Sequence, residues 1–163
     1  CPGCSIELEP TSGLPAPKFH SSAECWALYG ELAATFTLPS RDPAFPHQYV
    51  VDAYTAQHVG ADAKPIAAVF ALVGLCLALE RGATGRQAQL AHMELAKIKR
   101  DWPCLQPTVH RFDITVRHVL QEPTSEGKLA RIREWMRCTW DAWAHEHQTI
   151  RELVRPIALR PTR

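Results

Sequence analysis

Three cysteines and a handful of histidines carry the chemistry open to this sequence. Cys1 and Cys4 enclose Pro2-Gly3 in a C-x2-C motif, a spacing in which a tight turn directs two sulfurs toward one ion. Cys25 follows after 20 intervening residues. It falls at the start of an expected helix, where free N–H groups and the helix dipole favour the thiolate that a metal requires. Three soft ligands of this type point to zinc. Spacing leaves the fourth ligand open: His20 is nearest and completes C-x2-C-x15-H-x4-C, while His58 or His47 would come from the second expected helix. A redox pair fits less well, because no strand precedes the motif, and disulfides lack the support of an export signal.

His47, Val51, Tyr54 and His58 share one stripe of that second helix. His47 and His58 would nevertheless stand about 16 Å apart along its axis, too far for one ion. His147 takes a position in the last helix, between Trp143 and Ile150, where the pattern asks for an apolar side chain. His47, Asp52, Tyr54 and His147 are therefore the candidate catalytic residues. The competing reading makes them structural, with His147 hydrogen-bonded to a carbonyl or to Asp52. His145, two residues away, projects from another face and gives the HEH triplet no chelating geometry. Cys76 and Cys138 read as small core or flanking residues, and Trp135, Trp140 and Trp143 as packing residues or the lining of a ligand pocket.

The elements that must position these groups are helical. Trp26, Tyr29, Leu32, Ala33 and Phe36 recur at three and four residues from Cys25 to Phe36, with Ser22 or Ala23 near the start and Pro39 past the end. A second helix is expected from near Pro46 to near His58, and a third from Pro65 to a C-cap at Gly82. The third is nearly apolar all round and should centre the core. A fourth lies within RQAQLAHMELAKIKRDW, with a weak stripe of Leu90, Met93 or Glu94, Lys97 and Ile98. Asp113 could cap a short helix through Val116, Val119 and Leu120 that ends at Pro123. One last long helix should run from near Thr124 to about Val154. No alternating run supports a strand. The expectation is an all-α fold, a bundle of about five or six helices. Residues 1–163 would be a single domain, with residues 1–24 a metal-bound coil packed on the bundle.

Composition narrows the function. Hydrophobic residues make up 46% and charged residues 21%, as in ordinary globular proteins. Eighteen basic residues against 17 acidic leave no electrostatic footprint for nucleic acid. The run Arg151, Arg155, Arg160 and Arg163 reads as a cationic helix end. The longest uncharged apolar stretch, Ile66 to Leu79, has 14 residues where a membrane span needs roughly 20. No basic segment leading into an apolar run opens the sequence, so the expected location is cytoplasmic.

Taken in order, CPGC, SSAECWALYGELAATF, HQYVVDAYTAQHVG and WDAWAHEHQTIREL resemble an uncharacterised bacterial family of unknown function. The resemblance implies that Cys1, Cys4, Cys25, His47, Asp52, Tyr54, Gln57, His58, Trp143 and His147 are that family's polar landmarks. His20 stands outside the pattern, so the resemblance favours His58 as the fourth ligand. Two functions then compete. One is a zinc-stabilised binding or scaffold module, its partner a protein or a small molecule. The other is a metal-dependent enzyme resembling the DinB-type helical-bundle hydrolases and thiol transferases, drawing its histidines from His47, His118 and His147. The lack of an H-x-x-x-H pair on one helix face counts against the second.

Overall fold

Prolines, glycines and small caps set where the helices begin and end. The computed structural model describes residues 1–14, 18–37, 46–60, 62–107 and 111–159. Helix α1 (Ala23–Thr37) starts after Ser22, whose Oγ accepts the Cys25 N–H at 3.3 Å. Helix α2 (Pro46–Gln57) and helix α3 (Pro65–Arg81) each open on a proline that has no N–H to leave unpaired. Gly82 ends α3 in the left-handed conformation, φ 64°, and the Ala83 N–H returns to Leu77 O at 2.9 Å. Pro39, expected beyond α1, lies outside the described residues, as do Arg160 and Arg163 of the basic run.

The remaining helices depart from expectation in detail. Helix α4 (Gly85–Leu95) starts from a reciprocal cap: Thr84 N–H donates to Gln87 Oε1 at 2.9 Å, and Gln87 N–H to Thr84 Oγ1 at 3.2 Å. It stops at Leu95, short of Trp102, and buries Ala88, Ala91 and Leu95 rather than the expected stripe. Met93 and Ile98 stay exposed, so nothing apolar carries the helix further. Helix α5 (Val116–Leu120) is capped by Thr115 and not by Asp113, with Thr115 N–H donating to His118 Nδ1 at 3.1 Å. The single long helix expected at the end is two. Helix α6 (Ser125–Ala142) breaks at Trp143, a 3-10 turn spans Ala144–Glu146, and helix α7 (His147–Val154) follows. An unbroken helix over 124–154 would be about 46 Å long. The break instead lets α6 pack on α2, α3 and α5 while α7 packs on α3.

Among the described residues there are seven α-helices and no strand, an all-α fold. The pair α2 and α3 forms its centre, flanked by α1, α4, α6 and α7. Leu72, Val73, Leu75, Cys76 and Leu77 of α3 are wholly or almost wholly buried, as the apolar sequence requires. No helix among the described residues is long and apolar enough to cross a membrane.

One polar group sits inside this centre. Asp52, 3% exposed on α2, accepts a hydrogen bond from Gln48 Nε2 at 2.9 Å through Oδ1, while Oδ2 has no partner. Gly74 of α3 makes the room, since a methyl group there would overlap the Asp52 carboxyl. A helix-interior glycine costs roughly 0.5–1 kcal/mol against alanine, so the seat for Asp52 is its structural return. Gly74→Ala is expected to destabilise the protein by about 1–3 kcal/mol, read as a lower urea midpoint. Burial pushes the Asp52 carboxyl well above its ordinary 3.8. The native state therefore keeps a proton that the unfolded chain loses, and stability falls as pH rises from that value. Asp52→Asn should raise the urea midpoint near neutral pH and lose that advantage as pH falls to 3.8; a pH-independent difference would contradict the buried, neutral carboxyl.

Candidate metal centre

The first six residues form a knuckle. Ser5 N–H closes on Cys1 O at 2.9 Å, and Ser5 itself takes φ 61°, a left-handed conformation uncommon outside glycine. Gly3 lies at its tip because no side chain fits there: a methyl group would overlap His20 O and approach His58 Cδ2 to 2.7 Å. The knuckle is thereby pressed against the end of α2, with Cys25 supplied by the first turn of α1.

His58 follows directly after α2. Its N–H turns to Thr55 O at 3.0 Å, which frees the Tyr54 carbonyl for the imidazole, Nδ1 to O 2.8 Å. A carbonyl only accepts, so Nδ1 carries the hydrogen and Nε2 presents a lone pair. That Nε2 is 3.4 Å from Cys25 Sγ, and Cys25 Sγ is 3.8 Å from Cys4 Sγ. The ligand atoms of Cys1, Cys4, Cys25 and His58 all lie within 4.8 Å of one another. Cys4, Cys25 and His58 are at most 1% exposed, and Cys1 is half-buried. Among the described residues no other group of three or more such side chains could hold a metal ion.

Electrostatics suit a cation. The hydrogen bond from Cys25 holds the Cys4 thiol below its ordinary value, with the Ile6 N–H acting the same way and burial opposing both. Cys25 is raised, first by that same hydrogen bond and then by burial. The two thiols are thus pushed in opposite directions, and a divalent cation at this point could take the place of their protons. Burial drives the His58 imidazole down to about 4, so it stays neutral, the form that ligates.

An aromatic layer covers the group. Tyr54 stacks on His58 at 3.9 Å and on Tyr29 at 4.1 Å, and Trp26 stacks on Tyr29 at 5.1 Å and on Phe19 at 5.3 Å. The Tyr54 hydroxyl donates to Cys25 Sγ at 3.8 Å. Burial raises this phenol, so it remains a donor. Sequence reasoning singled out Tyr54 but missed its partners: Trp26 and Tyr29 read only as the apolar stripe of α1, and Phe19 lies in the coil before it. The offset of four between Tyr54 and His58 was the available signal, since it stacks the two rings on one helix face.

The other expected residues are distributed elsewhere. The His20 side chain is exposed, and its backbone N–H donates to His58 O at 2.8 Å. His47 lies in the first turn of α2, at the far end from His58. His118 caps α5. His147 stacks on Trp140 at 3.8 Å and donates from Nε2 to Trp140 O at 2.9 Å, the hydrogen bond to a carbonyl of the structural reading. His145 reaches Gln106 O at 3.1 Å. Of the four candidate catalytic residues, only Tyr54 touches the cysteine group in the contacts resolved.

An all-helical fold carrying a buried Cys3His group that could bind a metal ion defines the class. Within it, the chain belongs to the family of unknown function DUF5946, which matches residues 1–144. The match takes in the three cysteines, His58 and Trp143 and stops before His147. Neither the curated proteins nor the solved structures contain a match to the chain.

Tyr54→Phe keeps the ring stack and removes the O–H···S contact. It is expected to weaken metal affinity about tenfold or more in competition with a chromophoric chelator; unchanged affinity would mean the phenol only packs.

Proposed function

We propose that Cys1, Cys4, Cys25 and His58 hold one zinc ion in a closed site, and that residues 1–163 form a single zinc-stabilised domain acting as a binding or scaffold module. The observation that carries this is the pair of edge lengths. Tetrahedral zinc with bonds near 2.3 Å to sulfur and 2.0–2.1 Å to nitrogen requires S–S edges of about 3.8 Å and S–N edges of about 3.6 Å. The corresponding distances here are 3.8 Å and 3.4 Å.

The donor set favours zinc over harder ions, because thiolates are soft ligands and imidazole suits zinc as well. Three thiolates, one neutral imidazole and Zn2+ sum to a net charge of −1. The Ile6 N–H and the Tyr54 hydroxyl are placed to offset that charge. Four protein ligands leave no position for a water, which is the mark of a structural ion. Residues 1–24 have little apolar surface with which to fix themselves: Leu14 is 86% exposed, and Ile6, Leu8 and Phe19 are only partly buried. Structural zinc in zinc-finger peptides contributes on the order of 10–16 kcal/mol of binding, enough to fasten such a segment.

Elemental analysis of protein purified without an affinity tag should find one zinc per chain, retained in His147→Ala and lost in Cys4→Ser together with a lowered melting temperature. Zinc that survives Cys4→Ser, or no metal at all, would overturn the assignment, and loss in His147→Ala would move the site to the last helix.

A further inference from the structure

A cavity of about 620 Å3 opens beside the crossing of His20 and Gly60, within the range of roughly 300–1,000 Å3 usual for small-molecule sites. Its lining is more apolar than polar. Phe19, Ile66 and Ala67 supply the apolar wall, and Lys18 and Lys64 supply two ammonium groups.

The wall is set in place without a ligand. Phe19 is stacked on Trp26 at 5.3 Å and meets Tyr54 edge-on at 5.5 Å, while the next residue is tied by His20 N–H to His58 O at 2.8 Å. Gly60 completes the crossing, where a methyl group would come within 3.3 Å of His20 Cβ. A surface held this way loses little conformational freedom when something binds to it. The ammonium groups are different. Neither the Lys18 nor the Lys64 ammonium group has an ion-pair or hydrogen-bond partner among the described residues, and the one carboxylate on the lining, Asp62, leaves a net charge of +1 from the three.

We propose that this cavity binds a small monocarboxylate with an apolar body, its carboxylate beside Lys18 and Lys64 and its body against Phe19, Ile66 and Ala67. A bare anion such as phosphate fits less well, because it would leave the apolar wall of Phe19, Ile66 and Ala67 uncovered. The volume suits a small molecule, and the wall favours more than a bare carboxylate.

Phenylacetate, phenylacetamide and acetate, titrated separately into 15N-labelled full-length protein of measured metal content, test this. Phenylacetate should shift the amides of Phe19, Gly60, Lys64 and Ala67 saturably, and both other probes should bind at least about fivefold more weakly. The double variant Lys18→Ala/Lys64→Ala, changed only at exposed side chains, should weaken phenylacetate by about fivefold and leave phenylacetamide unchanged. Equal binding of phenylacetamide removes the role of the lysines, and equal binding of acetate removes the role of the wall. No saturable shift, or shifts centred elsewhere, overturns the site. Because metal content is measured on the same sample, a zinc-loaded protein that ignores phenylacetate fails this proposal alone.

Discussion

The last turn of α2 must find partners for carbonyls that no further turn of helix can take. His58 N–H pairs with Thr55 O, three residues back, and so releases Tyr54 O to fix the imidazole. Ala56 O accepts the Trp143 indole N–H at 3.1 Å, and His58 O accepts the His20 N–H at 2.8 Å. Gln57 Nε2 donates in turn to Ile114 O at 2.8 Å. One helix end therefore sets the His58 lone pair of the Cys3His group, the path of residues 18–20, the approach to α5 and the place where α6 stops. His20, Ile114 and Trp143 are remote in sequence from this helix end, and each pairs with a polar atom there that would be costly to bury alone.

The same accounting explains the interior. Asp52 and His92 are both driven to their neutral forms by burial, His92 down to about 4, and Gln48 links them through its amide at 2.9 Å and 3.3 Å. This polar cluster joins α2 to α4 beside the glycine of α3 that admits it. At the surface the balance is the opposite: Glu80, held below its usual value chiefly by Arg151, binds Arg151 at 2.7 Å and the Trp140 indole at 3.2 Å. There the charges remain, and they fasten α3 to α6 and α7.

A metal at the cysteine group would answer a deficiency of the first segment. The knuckle and the coil after it have turns, prolines and few buried side chains, so they gain little from the hydrophobic effect. Backbone contacts to the end of α2, such as His20 N–H to His58 O at 2.8 Å, attach them instead, and a metal held by the Cys3His group would add to that attachment beneath the aromatic layer. The cavity beside His20 shares that wall.

Much of the fold was legible along the chain because its signals are local. Pro46, Pro65 and Gly82 act through their own backbone geometry, and the apolar stripe of α3 needs no partner to be recognised. Cys1 and Cys4 declare a metal motif by spacing, since a four-residue turn alone brings their sulfurs together. The break at Trp143 was not legible: the stripe of Trp140, Trp143, His147 and Ile150 continues through it, and what ends α6 is an indole turned to a carbonyl 87 residues away. Nor could spacing choose among His20, His47 and His58. That choice belongs to the tertiary structure, because the crossing of the knuckle over α2 leaves the His20 side chain exposed, puts His47 at the distant end of the helix, and turns the His58 Nε2 lone pair toward the sulfurs.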